Sequence, residues 1–168
     1  FMAKILVYSE VSNWKPKTVT LEILGKLKGH TVEVAVIGDL NSDGTKDLAN
    51  FGADTIHKIK GTNLDKYSPY CYANGLKDFI SKQNYDYVFS GATSIGKDMI
   101  PRLATMFDAG VASDVVNFLF EGDKFFGTRP LFAGKCLAKV ELQGNKPHFI
   151  TIRPNALGLE KSPTAGAG

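Results

Sequence analysis

The chain has 168 residues, 43% of them hydrophobic, and a formal net charge of +3. That is enough apolar material for one substantial core and too little length for two typical domains. The charge is spread without a run of like residues, which excludes a nucleic-acid arm or a polybasic membrane patch, and the longest apolar stretches are strand-length, too short to span a bilayer.

Phe1 ahead of Met2 reads as a remnant before the native start, and Ala3 runs straight into a strand, Lys4 to Tyr8, with no targeting segment visible. A helix opens at Pro16 or Thr18, carries Val19, Ile23, Leu24 and Leu27 at helical spacing, and ends at Gly29. Val32 to Ile37 is a second strand, followed by a turn-rich loop and a short helix from about Thr45 to Phe51, closed by Gly52. Thr55 to Lys60 is a third strand. Ser68-Pro69 is a strong helix start, a cap and then proline at the first position, with Tyr72, Leu76, Phe79, Ile80 and Gln83 following on one face. Tyr87 to Ser90 is a fourth strand, and a helix carrying Met99, Leu103 and Met106 runs to about Phe107. This alternation predicts an α/β fold, a doubly wound, mainly parallel sheet with helices on both faces.

From Ser113 the rhythm changes. Val115 to Phe120, Lys124 to Thr128, Lys135 to Leu142 and His148 to Ile152 read as strands with turns at Glu121-Gly122-Asp123 and Gly144-Asn145-Lys146-Pro147. No helical pattern intervenes, so the expectation is additional antiparallel strands at one edge of the sheet. Gly158 to Gly168 is poor in large apolar residues and reads as a linker or tail, giving one domain over residues 2–157 and a link over 158–168. Cys71 and Cys136 stand alone, with no C-x-x-C, which points to a reducing compartment: a bacterial cytoplasm or a mitochondrial matrix.

Several short motifs offer chemistry. Gly91 to Lys97 has the phosphate-loop spacing G-x-x-x-x-G-K, but the next position, which needs Ser or Thr to ligate Mg²⁺, is Asp98. Because Pro101 is poorly placed deep in a helix, the expectation is a helix that starts with Asp98 as its N-cap. The carboxylate would then sit where a phosphate would meet the helix N-terminus. The alternative is a freestanding adenine-nucleotide-binding domain that cradles phosphate with Thr93, Ser94, Gly96 and Lys97. Asp39, Asn41, Asp43 and Gly44 match half of a calcium loop, but its twelfth position is Asn50 rather than Glu. His30, His57 and His148 share no ligand spacing, so no metal site is expected. Tyr67, Tyr70 and Tyr72 around Cys71 read as packing, and no nucleophile has a visible partner base.

The chain has seventeen lysines and only three arginines, each bonded to a proline: Pro101-Arg102, Arg129-Pro130 and Arg153-Pro154. Where lysine serves for ordinary charge, arginine marks positions that need a planar, multi-donor fork, and proline stiffens the backbone beside it. Arg102 has Asp98 one helical turn away for an ion pair, whereas Arg129 and Arg153, at strand ends, suit bracing of loops at a domain or partner boundary.

Four motifs in order carry a resemblance: Ser94-x-Gly96-Lys97-Asp98-x-x-Pro101-Arg102-x-Ala104, Ser113-Asp114, Arg129-Pro130-Leu131-Phe132-Ala133-Gly134, and Thr151-Ile152-Arg153-Pro154. Together, from the first strand to about Leu157, the chain resembles the amino-terminal domain of the electron transfer flavoprotein alpha subunit. Phe132 stands where tyrosine is common and Lys135 where asparagine is usual. The resemblance implies an alpha/beta heterodimer carrying one FAD, which passes electrons from acyl-CoA or other dehydrogenases to a membrane quinone reductase or another acceptor. It implies that the FAD-binding residues belong chiefly to a carboxy-terminal domain outside this sequence, so no flavin-binding residue is carried over. The domain would be non-catalytic, a scaffold that contacts the beta subunit, and the resemblance implies a Rossmann-like, adenine-nucleotide-binding-like fold whose nucleotide site, filled by Asp98, is vestigial.

Overall fold

The computed structural model describes residues 1–160. Its main sheet has six strands, all parallel: β1 (Lys4–Ser9), β4 (Thr31–Ile37), β5 (Thr55–Ile59), β6 (Tyr87–Gly91), β7 (Val111–Val115) and β11 (His148–Ile152), in the spatial order β5-β4-β1-β6-β11-β7. Strand order reverses between β1 and β6, which places the switch point of the sheet between the carboxyl ends of these two strands. A two-stranded hairpin, β2 (Val11–Ser12) with β3 (Lys15–Pro16), stands just beyond β1.

Helices cover both faces, as the alternating pattern requires. α1 (Thr18–Lys26) and α2 (Ser42–Phe51) bury Val19, Ile23, Leu24, Leu48 and Phe51 against Ile5, Val7, Val34 and Val36. α3 (Pro69–Ile80) and α4 (Ser94–Thr105) bury Tyr72, Leu76, Met99 and Leu103 against Leu6, Ala35, Val88 and Phe149 on the other face. Because successive strand residues point to opposite faces, β1 supplies both cores in turn. Ser68 caps α3, accepting the Cys71 N–H, with Pro69 at the first position as the sequence indicates.

The second half departs from an edge addition. β8 (Asn117–Glu121), β9 (Lys124–Leu131) and β10 (Cys136–Glu141) form an antiparallel sheet of their own. β11 then returns to the main sheet, parallel, between β6 and β7. The antiparallel sheet thus does the work of the missing crossover helix. Its inner face puts Phe118 and Phe125 on Phe89 and Tyr87, with Phe118–Phe89 ring centroids 5.2 Å apart, and this buries β6 and β11 on that side. Its outer face has no cover among the described residues. Pairing of Leu119 with Phe126 and of Pro130 with Leu137 sets those four on that face, with Leu119 47% and Leu137 66% exposed. The linker or tail expected over residues 158–168 falls largely on residues 161–168, outside those described.

Candidate functional site

In an open α/β sheet the switch point at the carboxyl ends of the strands is where a ligand is expected. Here the loop Gly91-Ala92-Thr93 leaves β6 and enters α4 directly. The N-cap is Thr93, not Asp98: the Thr93 hydroxyl accepts the Gly96 N–H at 3.1 Å, and the helix begins at Ser94. Pro101 therefore lies inside α4, where it forgoes the bond to the Lys97 carbonyl. The helix tolerates that loss because Met99, Ile100, Leu103 and Ala104 are all buried beneath it. Asp98 sits on the exposed side, accepting a hydrogen bond from the Tyr67 hydroxyl at 2.8 Å, with Arg102 Nη2 at 3.9 Å from its carboxylate. That bond and burial raise the Tyr67 phenol pKa, burial first. The Arg102 pair is the loose helical ion pair that four-residue spacing allows.

A different acid reaches the loop. Glu10, just past β1 and 7% exposed, accepts a hydrogen bond from the Thr93 hydroxyl on one carboxylate oxygen and pairs with Lys17 Nζ at 2.7 Å through the other. The carboxylate thus bridges the two strand ends at the switch point, and its charge is already balanced. Glycine in the phosphate-loop spacing serves packing instead. A Cβ on Gly96 would stand 1.9 Å from the Gly91 carbonyl oxygen, so this glycine lets α4 press onto the end of β6. Ser94 and Lys97 are exposed beside it.

The other motif residues gather around Asp114 at the end of β7. Asp114 has left-handed backbone, φ 57°, and its N–H donates to the Thr151 hydroxyl at 2.9 Å. Arg153, just past β11, clamps both carboxylate oxygens, with Nε donating to Oδ1 at 3.1 Å and Nη2 to Oδ2. These bonds hold the Asp114 carboxyl below its usual pKa against the opposing effect of burial, and the charges of Arg153, Lys97 and Arg129 act in the same direction. Three cations around one acid leave a net-positive cluster at the carboxyl edge. Arg129 belongs to β9, and its buried Nε has no hydrogen-bond partner among the described residues. Arg153 thus grips Asp114, and the charges of Lys97 and Arg129 act on the same carboxylate, while Arg102 pairs with Asp98 beside Tyr67.

The half calcium loop resolves into separate duties. Asn41 caps α2, accepting the Gly44 N–H at 2.7 Å, while Asp39 pairs with Lys58. No group of three His, Cys, Asp or Glu residues among those described is arranged to hold a metal ion. His57 meets Glu33 at 2.7 Å, and Glu33 also accepts from the Tyr85 hydroxyl at 2.6 Å and pairs with Lys4 at 3.3 Å. Those partners hold the Glu33 carboxyl below its usual pKa although burial works against them. Tyr67 and Tyr72 stack edge to face, 5.1 Å between centroids, with Tyr70 exposed. Glu10 had no local signal in the sequence, since its partner Thr93 is 83 residues away.

A family profile described as "Electron transfer flavoprotein domain" matches residues 5–168. The chain belongs to that family. It is 29% identical over 160 residues to the electron transfer flavoprotein subunit alpha of Thermoanaerobacterium thermosaccharolyticum, covering 91% of this chain and 48% of the relative. It is 31% identical over 169 residues to the corresponding subunit of Syntrophomonas wolfei, covering 99% and 52%. The lactate dehydrogenase (NAD(+),ferredoxin) subunit LctC of Acetobacterium woodii is 28% identical over 156 residues, covering 89% and 37%. The chain thus spans about half the length or less of these curated relatives. No described helix is long and apolar enough to cross a membrane.

Proposed function

We propose that this chain is the non-catalytic α/β support domain, residues 2–157, of an FAD-containing electron transfer flavoprotein, with 158–168 linking it onward. In this reading it is an alpha-subunit domain that docks on a beta subunit, within a carrier that takes electrons from dehydrogenases and gives them to a quinone reductase or another acceptor. The flavin would be held outside this domain. The observation that carries the reading is the occupied switch point. A phosphate or the pyrophosphate of FAD brought to the Gly91–Lys97 turn would clash with the Thr93–Glu10–Lys17 bridge, which leaves neither that hydroxyl nor that ammonium free to take it, and the residues there do not fit such a group. The same clash opposes a freestanding nucleotide binder built on Thr93, Ser94, Gly96 and Lys97.

Two surfaces suit docking. The outer face of the antiparallel sheet presents Leu119 and Leu137, with Phe132 78% exposed in the turn that joins β9 to β10. Apolar side chains grouped on one uncovered face are the usual mark of a partner surface. With Arg153 spent on Asp114, the charges of Lys97 and Arg129 leave an excess of positive charge at this end of the sheet, suited to acidic groups at a subunit or domain boundary. Analytical ultracentrifugation of the chain with a purified beta subunit tests the reading. A stable one-to-one complex is expected, weakened at least about tenfold by Leu137→Glu with the fold intact by circular dichroism. Absence of association at concentrations near 100 μM, roughly the floor for a functional subunit contact, would refute it.

A further inference from the structure

The segment that leaves β11 is fastened at both ends. At its start the Arg153 N–H donates to the Val115 carbonyl at 2.9 Å while its guanidinium grips Asp114. Farther along, Glu22 of α1, only 1% exposed, accepts the backbone N–H groups of Asn155, Leu157 and Gly158 at 3.0, 3.1 and 3.3 Å. The three donors converge on one carboxylate because Asn155 and Gly158 both adopt left-handed backbone, φ 64° and 75°. Leu157, between them, packs onto the same apolar cluster as α1. One turn along the helix, Gly25 leaves room for the chain: a Cβ there would lie 2.3 Å from the Glu160 carbonyl oxygen. Lys28 then pairs with the Glu160 side chain at 3.5 Å.

A carboxylate buried in a helix is costly unless charge-assisted hydrogen bonds satisfy it, and here the bonds come from backbone outside that helix. Glu22 therefore has a positional task. We propose that Glu22 anchors residues 153–160 across α1 as a mount, so that this strap is held on the support domain as far as residue 160. With the reading above, on which this use of the mount rests, Glu22 sets the point from which the link to the flavin-carrying part leaves the support domain. Glu22 is a positioning residue, with Gly25 as the slot that receives the strap.

Residue-resolved hydrogen exchange on the chain tests the mount directly. The amides of Asn155, Leu157 and Gly158 are expected to be protected, and Glu22→Ala to speed their exchange about 10- to 100-fold while Val34 and Phe89 in the sheet keep their rates. Gly25→Ala, which leaves the carboxylate in place but displaces Glu160, is expected to speed exchange at Gly158 in the same selective way. Free-peptide rates at these three amides in the unaltered chain would overturn the proposal. So would equal acceleration throughout the sheet in both variants. In the full-length chain assembled with its partner and flavin, Glu22→Ala is expected to change the electron-transfer rate and leave the flavin absorbance spectrum unaltered. A changed spectrum would assign Glu22 to the cofactor site and overturn its positioning role. An assembly that carries no flavin would refute the proposed function, whereas the exchange result would still decide the mount.

Discussion

Gly96→Ala is the sharpest single perturbation of the switch point. The added methyl would sit 1.9 Å from the Gly91 carbonyl oxygen, 3.1 Å from its carbon and 3.3 Å from Ser90 Oγ. The oxygen cannot turn aside cheaply, because Gly91 is paired with Ile152 in β11 and the next residue, Ala92, donates its N–H to the Ile152 carbonyl at 2.6 Å. α4 must instead lift from β6 by more than an ångström, loosening the contacts of Met99, Ile100 and Leu103, each fully buried. Overpacking of this kind costs about 3 kcal/mol, the upper part of the usual range. For a chain of this size that lowers Tm by roughly 6–12 °C. Thermal denaturation followed by circular dichroism measures it. A Tm within about 2 °C of the unaltered chain, less than 1 kcal/mol on the same scale, would show that the glycine is not wedged between helix and strand and would reopen its reading as a phosphate-loop residue.

Two further outcomes follow from buried charge. Glu10→Gln keeps an acceptor for Thr93 but loses the ion pair with Lys17, so a loss of about 1–2 kcal/mol by urea denaturation is expected, and no loss would contradict the bridging role. Acidification should also destabilise the fold through His30 and His148, both held below the ordinary imidazole pKa chiefly by burial. The nearby N-terminus adds to the effect at His30 and Lys146 adds to it at His148, with Asp86 opposing. A lowered imidazole pKa means that the unfolded chain takes up protons first. Stability is therefore whole above about pH 6.5 and declines as pH falls through that value. His148 Nδ1 is buried without a hydrogen-bond partner among the described residues, so His148→Phe should flatten part of the decline in Tm between about pH 7.5 and 5.5. Identical slopes in the two proteins would refute the assignment to His148.

Most of the fold was legible because its signals are local. Ser68-Pro69, Gly52 and the helical spacing of Val19, Ile23 and Leu24 each carry a cap, a stop or a face within a few residues. The sequence points to the wrong start for α4 because the cost of a proline inside a helix weighs heavily there. Thr93, the true cap, is favoured by packing of four buried residues along α4 that outweighs the lost bond at Pro101. The hairpin of β2 and β3 has no local signature, since its turn places Asn13 and Trp14 at φ 51° and 59° without the glycine that usually marks such a turn. β11 looked like one more antiparallel strand, because nothing within His148–Ile152 reports that its neighbours are β6 and β7. At the site, the arginine–proline pairs and Lys97 were visible as residue types, but their convergence on Asp114 depends on contacts up to 39 residues apart. Glu10 was invisible for the same reason.

Calorimetric titration of AMP, ATP and FAD into the purified chain, with Lys97→Ala alongside, tests the central claim most directly. With the Glu10 carboxylate holding the switch point, no saturable heat is expected below roughly 1 mM of any of the three, and the two proteins should behave alike. Micromolar binding that disappears in Lys97→Ala would contradict the account and make this chain a nucleotide-binding domain in its own right.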